Sequence, residues 1–236
     1  MKRIFSITCM LLALFVHATQ AQSLDGAWEL KDSSPGVTVS LIIEGNYFMQ
    51  SVYNESEKAF VQSFGGTLKK AGNSDLEVKM DFNTENKEQV GQTFTVSYSL
   101  SGSTLSVVIN GDAQEWTRKD DGSGPLAAVW RISAREQEGK MNEMKPGARK
   151  TLKILSGGRF QWAAINTETG EFFGTGGGTY TFKDGKYTEN IKFFSRDGTR
   201  VGMSLTFDGK VEGDNWHHSG LSSKGEKISE IWTKVK

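Results

Sequence analysis

The sequence predicts an all-β protein built as two tandem eight-stranded antiparallel up-and-down barrels. Three observations carry that expectation. The chain is written twice, its apolar residues alternate in short runs, and turns bearing Gly, Asn or Asp separate those runs.

The duplication is visible at both ends of each copy. The first half opens GAWEL (Gly26 to Leu30) and closes EWTRK (Glu115 to Lys119). The second opens AVWRI (Ala128 to Ile132) and closes IWTKV (Ile231 to Val235). Between them GNYFMQ (Gly45 to Gln50) answers GGRFQW (Gly157 to Trp162), and FGGTLKK (Phe64 to Lys70) answers GGGTYTFK (Gly176 to Lys183). SLSGSTLSV (Ser99 to Val107) answers LTFDGKVEG (Leu205 to Gly213). The order is the same in both halves, as two copies of one domain require. The expected boundaries are 24–119 for the first barrel, 120–126 for a linker and 127–236 for the second barrel.

In the first copy the strands are expected near 28–31, 37–43, 47–53, 60–68, 76–82, 93–100, 104–109 and 114–118. Val37, Val39, Leu41 and Ile43 share one face of VTVSLII, and Phe94, Val96, Tyr98 and Leu100 share one face of TFTVSYSL. Turns are expected at Ser101-Gly102-Ser103, Asp184-Gly185, Asp197-Gly198 and Asp208-Gly209, because Asp-Gly favours the positive φ of a type I′ hairpin. A meander of this kind exposes two edges, and curling until the last strand meets the first removes both. In the second copy the polar stretch Glu136 to Arg149 interrupts the meander and reads as a lid over the barrel mouth or a short helix. The GTGGGT run (Gly174 to Thr179) leads into a strand, so its glycines suit a bulge or barrel bend better than a phosphate cradle.

Residues 1–23 read as an export signal: Lys2 and Arg3, then an apolar run from Ile4 to Ala18, then Thr19-Gln20-Ala21 as a cleavage site. Cys9 sits in mid-segment and not at its end, which argues against a lipoprotein anchor. Its loss with the signal leaves no thiol and no disulfide. The expected location is the periplasm or the exterior, with no stable membrane span. The formal charge of zero hides an asymmetry. Residues 24–118 carry 13 acidic and 7 basic side chains (7 − 13 = −6), and residues 127–236 carry 13 acidic and 18 basic (18 − 13 = +5). Opposite halves are expected to dock on each other. Neither has the dense basic stripe of a nucleic-acid binder.

The bracketing tryptophans carry a resemblance. Gly26, Trp28 and Arg118 in the first copy, and Trp130 and Lys234 in the second, form a pattern that resembles the lipocalin-like (calycin) barrels; Ala128 replaces the second copy's glycine. The resemblance implies that the early Trp closes the barrel floor and that the late basic residue packs across it. The stretch Gly176 to Gly220 is also similar to a group of secreted bacterial lipocalin-like proteins, mostly without assigned function. It implies a small, apolar or amphipathic ligand.

The candidate site lies in the second copy. In DNWHHSG (Asp214 to Gly220), Trp216 and His218 share one face of a strand and His217 takes the other, so the two histidines are poorly placed to share a metal. His17, the third histidine, leaves with the signal, and no cofactor is expected. In YTENIKFF, Tyr187, Glu189, Ile191 and Phe193 are expected on one face. An inward Glu189 would need a partner such as His218, Arg159 or a ligand. Trp162, Tyr180, Phe182, Tyr187, Glu189, Trp216 and His218 are therefore the expected ligand-binding residues. In the first copy the inner candidates are Phe48, Phe60, Phe64, Phe82, Phe94 and Tyr98, and that copy reads as the structural one. Two other readings stand beside ligand binding. One is a structural or protein-interaction module with filled barrels. The other is a small-molecule isomerase or hydrolase, which lacks support in any Gly-X-Ser-X-Gly motif or orienting third group.

Overall fold

The computed structural model describes residues 23–109 and 111–236. The export segment expected over 1–23, with Cys9 and His17, lies outside the described residues apart from Ser23. The first repeat forms β1 (Gly26–Leu30), β2 (Thr38–Glu44), β3 (Tyr47–Asn54), β4 (Ala59–Lys70), β5 (Asp75–Asn83), β6 (Thr93–Ser101), β7 (Thr104–Ile109) and β8 (Asp112–Asp120). All neighbours are antiparallel, and β8 returns to β1 to close the barrel, with Trp28 opposite Arg118 and Leu30 opposite Trp116. The alternation works as the sequence predicts: Val39, Leu41 and Ile43 of β2 join the core inside.

The second repeat forms β9 (Ala128–Gln137), β10 (Lys140–Glu143), β11 (Arg149–Leu155), β12 (Arg159–Asn166), β13 (Glu171–Lys183), β14 (Lys186–Phe194), β15 (Ser204–Glu212), β16 (Asn215–Leu221) and β17 (Lys227–Lys234). Pairing of β9 with β17 closes it, so eight strands form the barrel and β10 hangs as an extra hairpin strand on β9. The Glu136 to Arg149 stretch is therefore a β-hairpin and a short coil, and not a helix. Glu138 and Gly139 both take positive φ, which makes the tight reversal possible. Among the described residues no helix is long and apolar enough to cross a membrane.

Register explains where the strand-face expectations hold and where they fail. Gly65 and Gly66 of β4 face Phe82 and Met80 of β5, leaving Asp81 as an extra residue. In the second repeat Gly177 and Gly178 face Phe193 and Ile191, leaving Lys192 as the extra one. These bulges need the glycines, because a Cβ on Gly66 or Gly178 would overlap the carbonyl oxygen of Lys79 or Asn190. Each bulge turns the rest of its strand over. Phe82 and Phe193 consequently leave their barrel interiors. Phe193 stacks on Tyr53 of the other repeat at 4.8 Å, and Phe60 also lies against it. The expectation that Tyr187, Glu189, Ile191 and Phe193 share a face thus fails at Phe193, and Phe60 and Phe82 are not inner residues of the first barrel.

The connections show the repeat as well. The β5–β6 and β14–β15 links are both single 3-10 turns, capped by the Asn86 and Asp197 side chains. Asp184-Gly185 forms the expected tight turn with positive φ at both residues. Asp208-Gly209 does not turn: both lie within β15, and the chain reverses at Gly213-Asp214. Asp208 pairs outward with Lys186, while a side chain at position 209 would collide with Phe182 and Trp216. Crowding inside the barrel, and not turn chemistry, selects this glycine. The Ser101-Gly102-Ser103-Thr104 reversal therefore corresponds to Glu212-Gly213-Asp214-Asn215, which shifts the expected match between Ser99 to Val107 and Leu205 to Gly213.

A further apolar cluster draws on the outer faces of both repeats: Ala27, Ile42, Tyr47, Met49 and Phe82 with Val129, Leu152, Ile154, Ala163 and Ile165. Ion pairs between the halves run from acidic groups of the first to basic groups of the second, and both bulged residues take part. Lys150 meets Asp81 at 3.0 Å, Lys192 meets Glu55 at 2.7 Å, and Arg159 meets Glu29 at 3.1 Å. Asp120, at the end of β8, accepts hydrogen bonds from the backbone of Ala27, Gly122, Gly157 and Gly158 and from Ser156 Oγ. One carboxylate thereby holds the first strand, the linker and the second repeat.

Candidate functional site

The floors of the two barrels are built alike. Trp28 Nε1 donates to the Leu24 carbonyl at 3.0 Å, and Trp130 Nε1 donates to the Leu126 carbonyl at 2.8 Å. In the first barrel the Arg118 guanidinium lies 4.0 Å from the Trp28 ring and donates to the carbonyls of Asp25 and Ser23. Lys234 stands opposite Trp130 in the strand register but is exposed.

The second barrel brings the predicted residues together around a group the sequence reading missed. Lys153, on β11, points inward and donates to Glu189 Oε1 at 2.7 Å, and Tyr187 donates to the same oxygen at 2.9 Å. The ammonium lies 5.0 to 5.7 Å from the ring centres of Trp232, Tyr187, Trp216 and Phe160. Glu189 is 7% exposed, so this pair is buried in aromatic surroundings. Burial, reinforced by Glu189, raises the Tyr187 phenol well above its ordinary range. Tyr180 donates to the Ser156 carbonyl, and Trp162 and Phe182 complete the wall from partly buried positions. Arg159, one of the expected partners of Glu189, instead reaches Glu29.

A second polar group lies toward the barrel rim. A bulge at Ser133 re-aims the end of β9, so that Arg135 grips Glu230 Oε1 with Nε at 3.0 Å and a terminal nitrogen at 2.7 Å. Trp232 Nε1 donates to Glu230 Oε2 at 2.9 Å. Burial alone would raise the Glu230 carboxyl, but His218 and Arg135 outweigh it and hold the group at about 2. His218 Nδ1 sits 3.5 Å from Glu230 Oε2, too far for a well-formed hydrogen bond, and neither ring nitrogen has a closer partner. Burial lowers the imidazole below its ordinary range, against the pull of Glu230. His217 faces outward, 3.3 Å from Glu212. Among the described residues no three His, Cys, Asp or Glu side chains are arranged to hold a metal. The charges of this barrel are matched mostly to one another.

A mainly apolar cavity lies in the other barrel. It measures about 370 Å³ and is lined by Leu24, Leu41, Ile43, Phe48, Phe64, Leu68, Leu76, Val78, Met80, Phe94, Leu105, Val107 and Trp116, with Gln50, Asn83, Gln89, Thr95 and Gln114 as polar members. Its origin follows from superposing the repeats through their strand registers. Leu41 and Lys153 both stand opposite the floor tryptophan; Leu105 and Trp216 both stand opposite the last strand's tryptophan. The same registers equate Val107 with His218, Gln114 with Glu230, Leu68 with Tyr180, Leu76 with Tyr187, Val78 with Glu189 and Gln50 with Trp162. Each of these exchanges makes the first barrel's side chain smaller or less polar, while Phe64 for Gly176 and Phe94 for Leu205 run the other way. Space that the second barrel fills with indoles, phenols and an ion pair is empty in the first.

The sequence points to the aromatic, charged copy, and the mainly apolar cavity is in the plain one. Lys153 escaped because TLKIL reads as an apolar strand with its lysine in solvent. Here Leu152 and Ile154 face the other repeat instead, which turns Lys153 and Leu155 inward. A second cavity of about 340 Å³ lies along β15 to β17, and it is lined by His218, one of the expected ligand-binding residues, with Gly209, His217, Ser219, Ser229 and Glu230.

No curated protein matches the chain. Residues 125–236, the second barrel from just before Leu126 to the end, match the model of DUF4488, a domain of unknown function. By that match the second half of the chain is similar to that family.

Proposed function

We propose that this chain is an exported, non-catalytic binding protein of lipocalin-like type that holds a small, largely apolar molecule inside its N-terminal barrel. The cavity in that barrel supports the reading most strongly. Its volume, about 370 Å³, lies at the lower end of the ~300–1,000 Å³ typical of small-molecule sites, and its wall is mainly aliphatic and aromatic with a few amides. Well-packed domains rarely leave such a space without use, because every missing contact is a loss of cohesion. The second barrel, its core filled by aromatic rings and the Lys153–Glu189 pair, serves as a base. The two are docked in solution as one unit through their shared apolar cluster and the acidic-to-basic ion pairs. Residues 1–23 direct export, to the periplasm or beyond.

Titration with N-phenyl-1-naphthylamine, an uncharged dye that fluoresces in apolar surroundings, tests the reading. Saturable binding of one dye per chain is expected. Val78→Trp, which fills the first cavity from its wall, should weaken it about tenfold or more, while Trp162→Phe in the second barrel leaves it unchanged. Binding indifferent to Val78→Trp but lost in Trp162→Phe would return the site to the C-terminal barrel.

A further inference from the structure

We infer that the N-terminal cavity selects uncharged ligands and rejects carboxylates of the same chain length, an inference that rests on the ligand-binding reading. None of the side chains lining the cavity is Asp, Glu, Lys, Arg or His. The contrast with the sister barrel makes this more than a statement about apolarity. At equivalent inward positions the second barrel carries Lys153, Glu189, His218 and Glu230, and the first carries Leu41, Val78, Val107 and Gln114. The fold can place charge at these points, and the hollow copy has none there.

The Arg118 guanidinium at the floor is already engaged. It packs on Trp28 and donates to the carbonyls of Asp25 and Ser23, and it is not part of the lining. A carboxylate entering the cavity would lose its hydration and meet no cation, a heavy cost in an apolar interior. A hydroxyl or carbonyl needs only one neutral partner. The cavity offers such partners as a row across adjacent strands. Gln50 of β3 and Asn83 of β5 flank Phe64 of β4, and Gln89 receives a hydrogen bond from Asn83 Nδ2 at 2.8 Å. Gln89 belongs to the β5–β6 link, at the end of the barrel away from the Trp28 floor. The ligand is thus a neutral amphipathic molecule, its apolar body toward Leu24 and Trp116 and its polar end among these amides.

Displacement of bound N-phenyl-1-naphthylamine from the full chain by 1-decanol and by sodium decanoate at pH 8, below the solubility limit of the alcohol and the micellar range of the carboxylate, tests this. The alcohol should displace the dye at a concentration at least about tenfold lower than the carboxylate. Equal or better displacement by decanoate, or displacement by neither, overturns the neutral selectivity and leaves the cavity as a binding site. Failure of the dye itself to bind defeats the underlying reading as well.

Discussion

Lys153→Met is expected to destabilise the second barrel by about 3–5 kcal/mol, the range for breaking a buried ion pair on one side only. Methionine keeps most of the volume, so the loss is chiefly electrostatic. Glu189 would stay behind in an aromatic interior with only the Tyr187 hydroxyl on its oxygen. It would have to take up a proton or unfold its surroundings. The companion Lys153→Met/Glu189→Leu removes both charges, and it should recover most of the loss, because apolar replacements of whole buried pairs are often neutral or stabilising. Urea midpoints followed by tryptophan emission measure both variants. The two barrels need not unfold together, so the transition to compare is the one that shifts. A double variant as unstable as the single one would mean that the pair is not a self-contained unit.

Glu44 supplies the second large effect, and its sign is fixed by its surroundings. The side chain closes β2 near the junction of the repeats, with Oε1 buried and unpartnered. Burial raises its pKa to about 8, with Asp25, Asp120 and Asp121 adding to the rise and Lys234 opposing it. Between the ordinary value, near 4.5, and 8 the folded chain holds a proton that the unfolded chain has released. Stability therefore falls as pH climbs through that window and levels off above it, by roughly 2–4 kcal/mol in all. Glu44→Gln should remove this slope: little change in urea midpoint at pH 5, and a clear gain at pH 9. Glu230 works in the opposite sense. With a folded pKa of about 2, its contribution is complete above the ordinary value and is lost as pH falls toward 2. Parallel wild-type and Glu44→Gln curves from pH 5 to 9 would show that Glu44 reaches solvent freely.

The meander was legible because half-buried strands must alternate, and the closures were legible because repeated terminal tryptophans marked them. The bulges were not. An extra residue at Asp81 or Lys192 flips everything after it, and the only trace in sequence is a glycine pair on the neighbouring strand. Simple alternation therefore puts Phe82 and Phe193 on the wrong side. Asp208-Gly209 misled for a related reason: a local turn signal was overridden by crowding around Phe182 and Trp216. With Asp208-Gly209 inside β15, the strand registers set Val107 against His218 and Gln114 against Glu230. Lys153 was invisible because strand polarity is ordinarily read against solvent, whereas β11 is covered on its outer face by the first repeat. Aromatic and charged residues are conspicuous in sequence, whereas a cavity, being made of side chains that are merely smaller, leaves no motif.

The most direct test is a crystal structure of the chain grown with saturating 1-decanol. Density for one alcohol molecule inside the ring of Leu41, Phe48, Met80 and Trp116, with its oxygen toward Gln50 and Asn83, is the expected result. An empty first barrel beside an alcohol seated against Glu189 and Trp216, or a first barrel collapsed around no ligand at all, would contradict the account.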